Sequence, residues 1–327
     1  LEYWVVSFDQ SLRQNYLSIL QFLESIIIYK IRRILFFNII NFVVKYFTIR
    51  FSDTLIMKIN NLERIDRKSM FETYDNWPEI AASAFKTEIE KIDIKDIDHI
   101  VFAGMGGSGS LGDVMNSILS KEDIHVSVVK GYHLPKTIDS NSLVITTSIS
   151  GNTKETLSIL EDAFKSNAKI ASFSSGGIMR EFCEKNNIFH QNIPMIHSPR
   201  ASFPKFLFTI LKSLGEIIPI KDKDMEEAIR NLEKTKKNIF SGNLEDSNIS
   251  LKLASWIRNV PLIYYPWGLQ SAAIRFKNSL QENSKIHAIT EDIVESCHNG
   301  VVAWEKKSVI QPILIKGKDD HAKTKDR

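Results

Sequence analysis

Two short segments of this 327-residue chain hold residue types suited to binding an anion. The first is Ala103-Gly104-Met105-Gly106-Gly107-Ser108-Gly109-Ser110-Leu111-Gly112-Asp113, where five of the fourteen glycines crowd between a strand-like and a helix-like run. Closely spaced glycines let backbone N–H groups, here at Gly106, Gly107 and Ser108, converge on an anion, and the following helix adds its positive end. A tight turn is the plain alternative. Gly104, Gly106 and Gly109 also satisfy Gly-x-Gly-x-x-Gly, but the next strand-like run ends in Val129-Lys130, a lysine where a ribose-binding acid belongs, so dinucleotide binding is a weak reading. The second segment, Thr147-Ser148-Ile149-Ser150-Gly151-Asn152-Thr153, gathers the hydroxyls of Ser148, Ser150 and Thr153 ahead of another helix. One such hydroxyl would be an ordinary N-cap. Three, paired with a glycine loop, favour a phosphate monoester.

The elements around these segments alternate. Ile100-Val101-Phe102, Val126-Ser127-Val128-Val129, Leu143-Val144-Ile145-Thr146 and Ile170-Ala171-Ser172-Phe173 have strand length and composition, and residues 111–119, 154–164 and 179–185 read as helices between and after them. That rhythm predicts βαβ units in a parallel, doubly wound α/β sheet, with both segments at strand-to-helix turns outside the carboxyl ends of the strands. The charged stretch 221–237 reads as a solvated connecting helix. Beyond about Leu251 the theme repeats, with strands expected at 260–264 and 309–315 and a helix at 272–280. The chain ends soon after the last of these, so the second domain looks cut short. The expected division is an extension over 1–56, a domain over 57–220 and a smaller one over 221–327.

Composition narrows the class. At 43% hydrophobic and 25% charged the chain can build a real core, and 42 basic against 39 acidic residues give no nucleic-acid surface. Two separated cysteines, Cys183 and Cys297, form no disulfide framework or zinc pattern, which points to a reducing, cytoplasmic setting. His190, His197 and His287 have no metal-ligand spacing, so no metal is expected. Residues 1–56 lack Gly, Ala and Pro yet hold seven of nineteen Phe, and the first methionine is Met57. They are expected to be upstream sequence ahead of a natural start at Met57, an amphipathic surface helix being the alternative. No run there is long and apolar enough for a membrane span.

Gly-Met-Gly-Gly-Ser-Gly at 104–109 and Ser-x-Ser-Gly-Asn-Thr at 148–153 resemble the sugar isomerase (SIS) domain, a phosphosugar-binding fold. Ser174-Ser175-Gly176-Gly177, Ser198-Pro199-Arg200-Ala201, Arg275-Phe276-Lys277-Asn278, Gln281-Glu282-Asn283-Ser284-Lys285 and His298-Asn299 follow in order, and the set resembles the bifunctional phosphoglucose/phosphomannose isomerases over roughly 57–320. The resemblance implies two SIS-type α/β/α domains, the second incomplete. It implies a homodimer with a shared active site that binds a sugar phosphate without cofactor, metal, nucleic acid or membrane, working in glycolysis and gluconeogenesis. It makes Glu282 the base that moves a proton between C2 and C1, His298, reaching from a neighbouring subunit, the opener of the sugar ring, and Arg200 the cation beside the enediolate oxygen. Taken alone, Glu282 is a solvated helix-end acid, His298 a loop histidine and Arg200 half of a surface ion pair. Two departures stand out. The chain has Gly300 where the family continues His-Asn-Glu, and it stops before the family's substrate-contacting lysine and a threonine tied to mannose phosphate, so neither role passes to Lys323, Thr324 or Lys325. A phosphosugar sensor would keep both phosphate segments without a base at Glu282. An amidotransferase-type isomerase would need a glutaminase domain, and none is legible.

Overall fold

In a computed structural model of the chain, the residues described are Trp4–Val6 and 59–326. The expectation for 1–56 otherwise lies outside them. The described chain opens with β1 (Trp4–Val6), α1 (Ile59–Ile65) and α2 (Met70–Asp75). It continues through α3 (Trp77–Lys86), β2 (His99–Ala103), α4 (Gly106–Leu119), β3 (His125–Val129), β4 (Ser142–Ser148) and α5 (Lys154–Lys165). Then come β5 (Lys169–Ser174), α6 (Gly177–Lys185), β6 (Phe189–Asn192), α7 (Phe203–Ser213) and α8 (Asp222–Ile239). The remainder is α9 (Ile249–Trp256), β7 (Val260–Tyr265), α10 (Gln270–Ser279), β8 (Ile289–Asp292), α11 (Ile293–Ser296), β9 (Ile310–Ile315) and α12 (Ala322–Asp326).

Two compact units result, Asn76–Ile229 and the described residues up to Asp75 together with Arg230–Arg327. The division therefore runs differently from the one drawn on composition at 57 and 220. The reason is packing: Leu62 and Phe71, flanking the α1–α2 turn, share a buried cluster with Ile239, against which Leu244, Ile249 and Leu251 also pack. The stretch expected as a solvated connector has a buried face, Met225, Ala228, Ile229, Leu232 and Ile239, at helical spacing that its many charges obscure in the sequence.

The Asn76–Ile229 unit is built on a parallel sheet of order β3-β2-β4-β5-β6. Strands β2 and β4 are buried along their whole length, as expected where helices cover both faces. The apolar runs Ile100–Phe102 and Leu143–Ile145 follow from that burial rather than from alternation. Helix α7 is buried almost throughout, and α3 lies against it, with Trp77 stacked on Phe203 at a ring-centroid separation of 6.2 Å. The second unit has a smaller parallel sheet of order β1-β9-β7-β8. Its core joins Ile263, Ile313 and Ile315 of the sheet to Ala272, Ala273, Phe276 and Leu280, and the two alanines let α10 approach β7 closely.

Candidate functional site

Helix α4 leads from β2 to β3 and helix α5 from β4 to β5, so the chain leaves the neighbouring strands β2 and β4 in opposite directions. Such a reversal opens a crevice outside the carboxyl ends of the two strands, where open α/β sheets hold ligands. Ala103 closes β2 and Ser148 closes β4, with Ala103 in register with Thr146. Both segments read from sequence as candidate anion sites thus leave the sheet at one place, and they touch. The Ile149 N–H donates to Ser108 Oγ at 3.4 Å, and a Cβ on Gly104 would lie 2.9 Å from the Thr147 carbonyl oxygen.

Neither helix that opens here is capped by its own N-cap side chain. Met105 precedes α4 in an extended conformation, and Gly106 takes a φ of +53° with open space around it. Thr153 precedes α5, but its hydroxyl bonds Ser148 Oγ at 2.9 Å instead of a first-turn N–H. That arrangement disposes of the ordinary N-cap reading for Thr153. Ser148 Oγ, buried, also accepts the Gly151 N–H at 3.1 Å, while Ser150 is exposed and accepts the Asn152 N–H at 3.3 Å. Backbone N–H groups and hydroxyls at two helix N-termini can together meet a dianionic phosphate. Lys130 carries no ribose chemistry: its ammonium sits 2.7 and 2.6 Å from the Asp113 carboxylate oxygens, tying β3 to α4.

A third turn, after β5, completes the cradle. Ser175 donates through its N–H and its hydroxyl to the Ile149 carbonyl, at 3.1 and 2.5 Å, and the Met179 N–H donates to the Gly151 carbonyl at 2.9 Å. Asn152 Oδ1 accepts the Ile178 N–H at 3.0 Å. Gly151 has a φ of +74°, and a Cβ there would fall 1.7 Å from the Gly176 carbonyl oxygen, so only glycine fits. From sequence the 174–177 segment carries no role beyond the resemblance, and its adjacent glycines are the one signal that another backbone comes close.

Arg200 lies in the turn before α7, partly exposed. Ser202 Oγ accepts the Ile196 N–H at 2.8 Å and donates toward the Ile196 and Ser198 carbonyls, and the buried Trp77 indole donates to the Ala201 carbonyl at 2.9 Å. These bonds hold the backbone on both sides of the arginine. In the other unit, Glu282 sits in a single π-helical turn, Leu280–Ser284, that prolongs α10. Such turns recur at functional sites because they re-aim side chains. Lys285, at a φ of +59°, ends the turn and donates to the Glu282 carbonyl at 2.6 Å. His298 is exposed beyond β8 and α11, and Asn299 beside it donates to Glu295 at 3.1 Å. Along the chain, β8 (Ile289–Asp292) lies between Glu282 and His298. Gly300 has a local reason, since a Cβ there would meet Ser296 Oγ at 2.7 Å and the Glu291 carboxylate at 3.1 and 3.2 Å. Among the described residues no group of three or more His, Cys, Asp or Glu is placed to hold a metal ion, and no helix is long and apolar enough to cross a membrane.

Residues 93–200 match the family described as SIS domain, and residues 246–327 the family described as bacterial phospho-glucose isomerase C-terminal SIS domain. The chain is 34% identical over 266 residues to the bifunctional phosphoglucose/phosphomannose isomerase of Caldicellulosiruptor bescii, an alignment covering 77% of this chain and 78% of that one. It is 32% identical over 241 residues to the protein of the same name from Aquifex aeolicus, covering 72% of each. Among solved structures, the C-terminal domain of glucosamine-fructose-6-phosphate aminotransferase from Francisella tularensis superposes with a TM-score of 0.57 at 16% identity, covering 76% of each chain, a likeness of fold.

Proposed function

Because the chain belongs to the bifunctional phosphoglucose/phosphomannose isomerase family, we propose that it interconverts glucose-6-phosphate or mannose-6-phosphate with fructose-6-phosphate through an enediolate. The observation that carries this reading is the cradle itself: two uncapped helix N-termini, the Gly106-Gly107-Ser108 backbone and the Ser148, Ser150 and Thr153 hydroxyls meet at the reversal point of a doubly wound sheet. A phosphate held there anchors one end of the sugar, so the remaining chemistry is proton movement at the other end.

In this reading His298 donates a proton to the ring oxygen and takes one from the C1 hydroxyl, which opens the cyclic sugar. The Glu282 carboxylate then removes the proton on C2. The electron pair of that C–H bond becomes the C1–C2 double bond, and the carbonyl pair moves onto O1, where the Arg200 guanidinium steadies the charge. The O2 proton passes to O1, Glu282 returns its proton to C1, and C2 becomes the ketone. Carboxylate and imidazole suffice for these steps, so the reading includes no metal and no cofactor. The reading takes over from the family resemblance a homodimer with a shared active site, in which each sugar takes its histidine from a second copy. A cytoplasmic enzyme of glycolysis or gluconeogenesis is the setting this chemistry suits.

A coupled assay for fructose-6-phosphate, run with glucose-6-phosphate and mannose-6-phosphate in turn, tests the proposal. Turnover of both sugars, with kcat lowered about 10²–10⁴-fold in Glu282→Gln at unchanged KM, is the expected result. Tight sugar-phosphate binding without turnover would overturn it in favour of a phosphosugar sensor.

A further inference from the structure

The turn after β5 is itself held from the sheet edge, by a residue the isomerase chemistry does not use. His190 lies on the edge strand β6, partly exposed, and its Nε2 is 2.8 Å from Ser174 Oγ. Ser174 is fully buried; its hydroxyl donates to the Gly176 carbonyl at 2.8 Å and accepts the Gly176 N–H at 3.2 Å. The one hydroxyl hydrogen is therefore spent on Gly176, and the imidazole must supply Nε2–H as the donor. Gly176 is the residue whose carbonyl presses on Gly151, and its neighbours Ser175, Ile178 and Met179 bond the 149–152 backbone and Asn152. A continuous chain of contacts thus runs from His190 through Ser174 and Gly176 to the bend that carries Ser150.

We propose that His190 is a positioning residue for phosphate binding: through Ser174 it sets the Gly176 turn against which the Ser148–Thr153 bend is cast. It does not touch the sugar phosphate. Burial holds its imidazole toward the neutral form, and the charged groups of α6 that act on it are Arg180, which favours neutrality, and Glu184, which opposes it, themselves paired at 2.6 Å. The three bonds at Ser174 require a proton on Nε2, and burial favours the neutral ring as the species that carries it.

This inference rests on the reading of 148–153 as the phosphate site, and one experiment separates the two. Inorganic phosphate is titrated calorimetrically into the full chain and into His190→Phe, His190→Gln and Ser174→Ala, with kcat and KM for glucose-6-phosphate measured alongside. Loss of the His190 donor should raise the phosphate Kd and the KM about fivefold with kcat within twofold, the worth of one hydrogen bond. His190→Gln, which still presents a donor at the same reach, should restore most of the affinity. Ser174→Ala, which also removes both hydroxyl bonds to Gly176, should weaken binding at least as much as His190→Phe, and adding His190→Phe to it should cost nothing further. Wild-type affinity in His190→Phe, or in Ser174→Ala should His190→Phe fail to fold, would overturn the role of His190. So would a loss confined to kcat. Failure of the unaltered chain to bind phosphate would remove the phosphate site and this inference with it, a result distinct from the others.

Discussion

Gly151 gives the most quantitative handle on the cradle. An alanine there meets two separate penalties. Its φ of +74° is a left-handed conformation that costs an L-residue about 1–2 kcal/mol. Its Cβ would also fall 1.7 Å from the Gly176 carbonyl oxygen and 2.7 Å from the Gly176 carbonyl carbon, both backbone atoms that cannot swing aside. Relieving that overlap means pushing the 174–177 turn away, which adds about 1–3 kcal/mol by analogy with overpacked cores. Gly106 is the internal control, since its φ of +53° carries the same conformational penalty but nothing lies within 4 Å of an added Cβ. Gly151→Ala should therefore melt lower than Gly106→Ala by about 2–10 °C for a unit of this size. It should also weaken inorganic phosphate binding at least tenfold, because the displaced turn no longer supports Ser150. Melting curves and phosphate titrations on the two variants decide the matter. Equal melting midpoints, or a Gly151→Ala protein with unaltered phosphate affinity, would refute the argument that the third turn shapes the site.

Other outcomes follow from the same geometry. Ser148→Ala removes the hydroxyl partner of Thr153 and one of the two acceptors of the Gly151 N–H, the Ser148 carbonyl at 2.9 Å being the other, and should raise the phosphate Kd about tenfold; titration calorimetry reads it. Stability should fall in acid. Buried His99, stacked on His125 at 4.3 Å and bonded to Ser127 Oγ, is held below the ordinary histidine pKa first by burial and then by His125. His190 is lowered by burial and by Arg180. The unfolded chain takes up these protons first, so the stability they confer is complete above about pH 6.5 and is lost as the pH falls toward the depressed folded values. Melting midpoints at about pH 7 and about pH 5 should differ, and His99→Gln should narrow that difference; an unchanged gap would count against His99 as a contributor.

The parallel α/β character, the strands at the chain centre and the two glycine- and hydroxyl-rich segments are legible because each is a local signal. Buried parallel strands show as apolar runs such as Leu143-Val144-Ile145, and a backbone that must approach an anion shows as clustered glycine and hydroxyl residues. The short edge strand Phe189–Asn192 escaped because its polar residues lack a strand pattern, and α8 was misjudged because charges at most positions mask one buried stripe. Where α1 and α2 belong was not readable either, since their partner Ile239 lies far along the chain. In the site, residue types and spacing alone point to the groups at 104–109 and 148–153 as candidate phosphate ligands. Glu282, His298 and Arg200 drew their roles from resemblance, each being unremarkable in its own sequence context. Only the tertiary structure decided that β2 and β4 are neighbours at a reversal of strand order, and that the turn after β5 closes on Gly151. It alone set Glu282 in a π-helical turn at the end of α10. The physical reason is that glycine content and helix capping are written within a few residues, whereas strand order and backbone-to-backbone contact depend on pieces of chain that meet only when the hydrophobic core assembles.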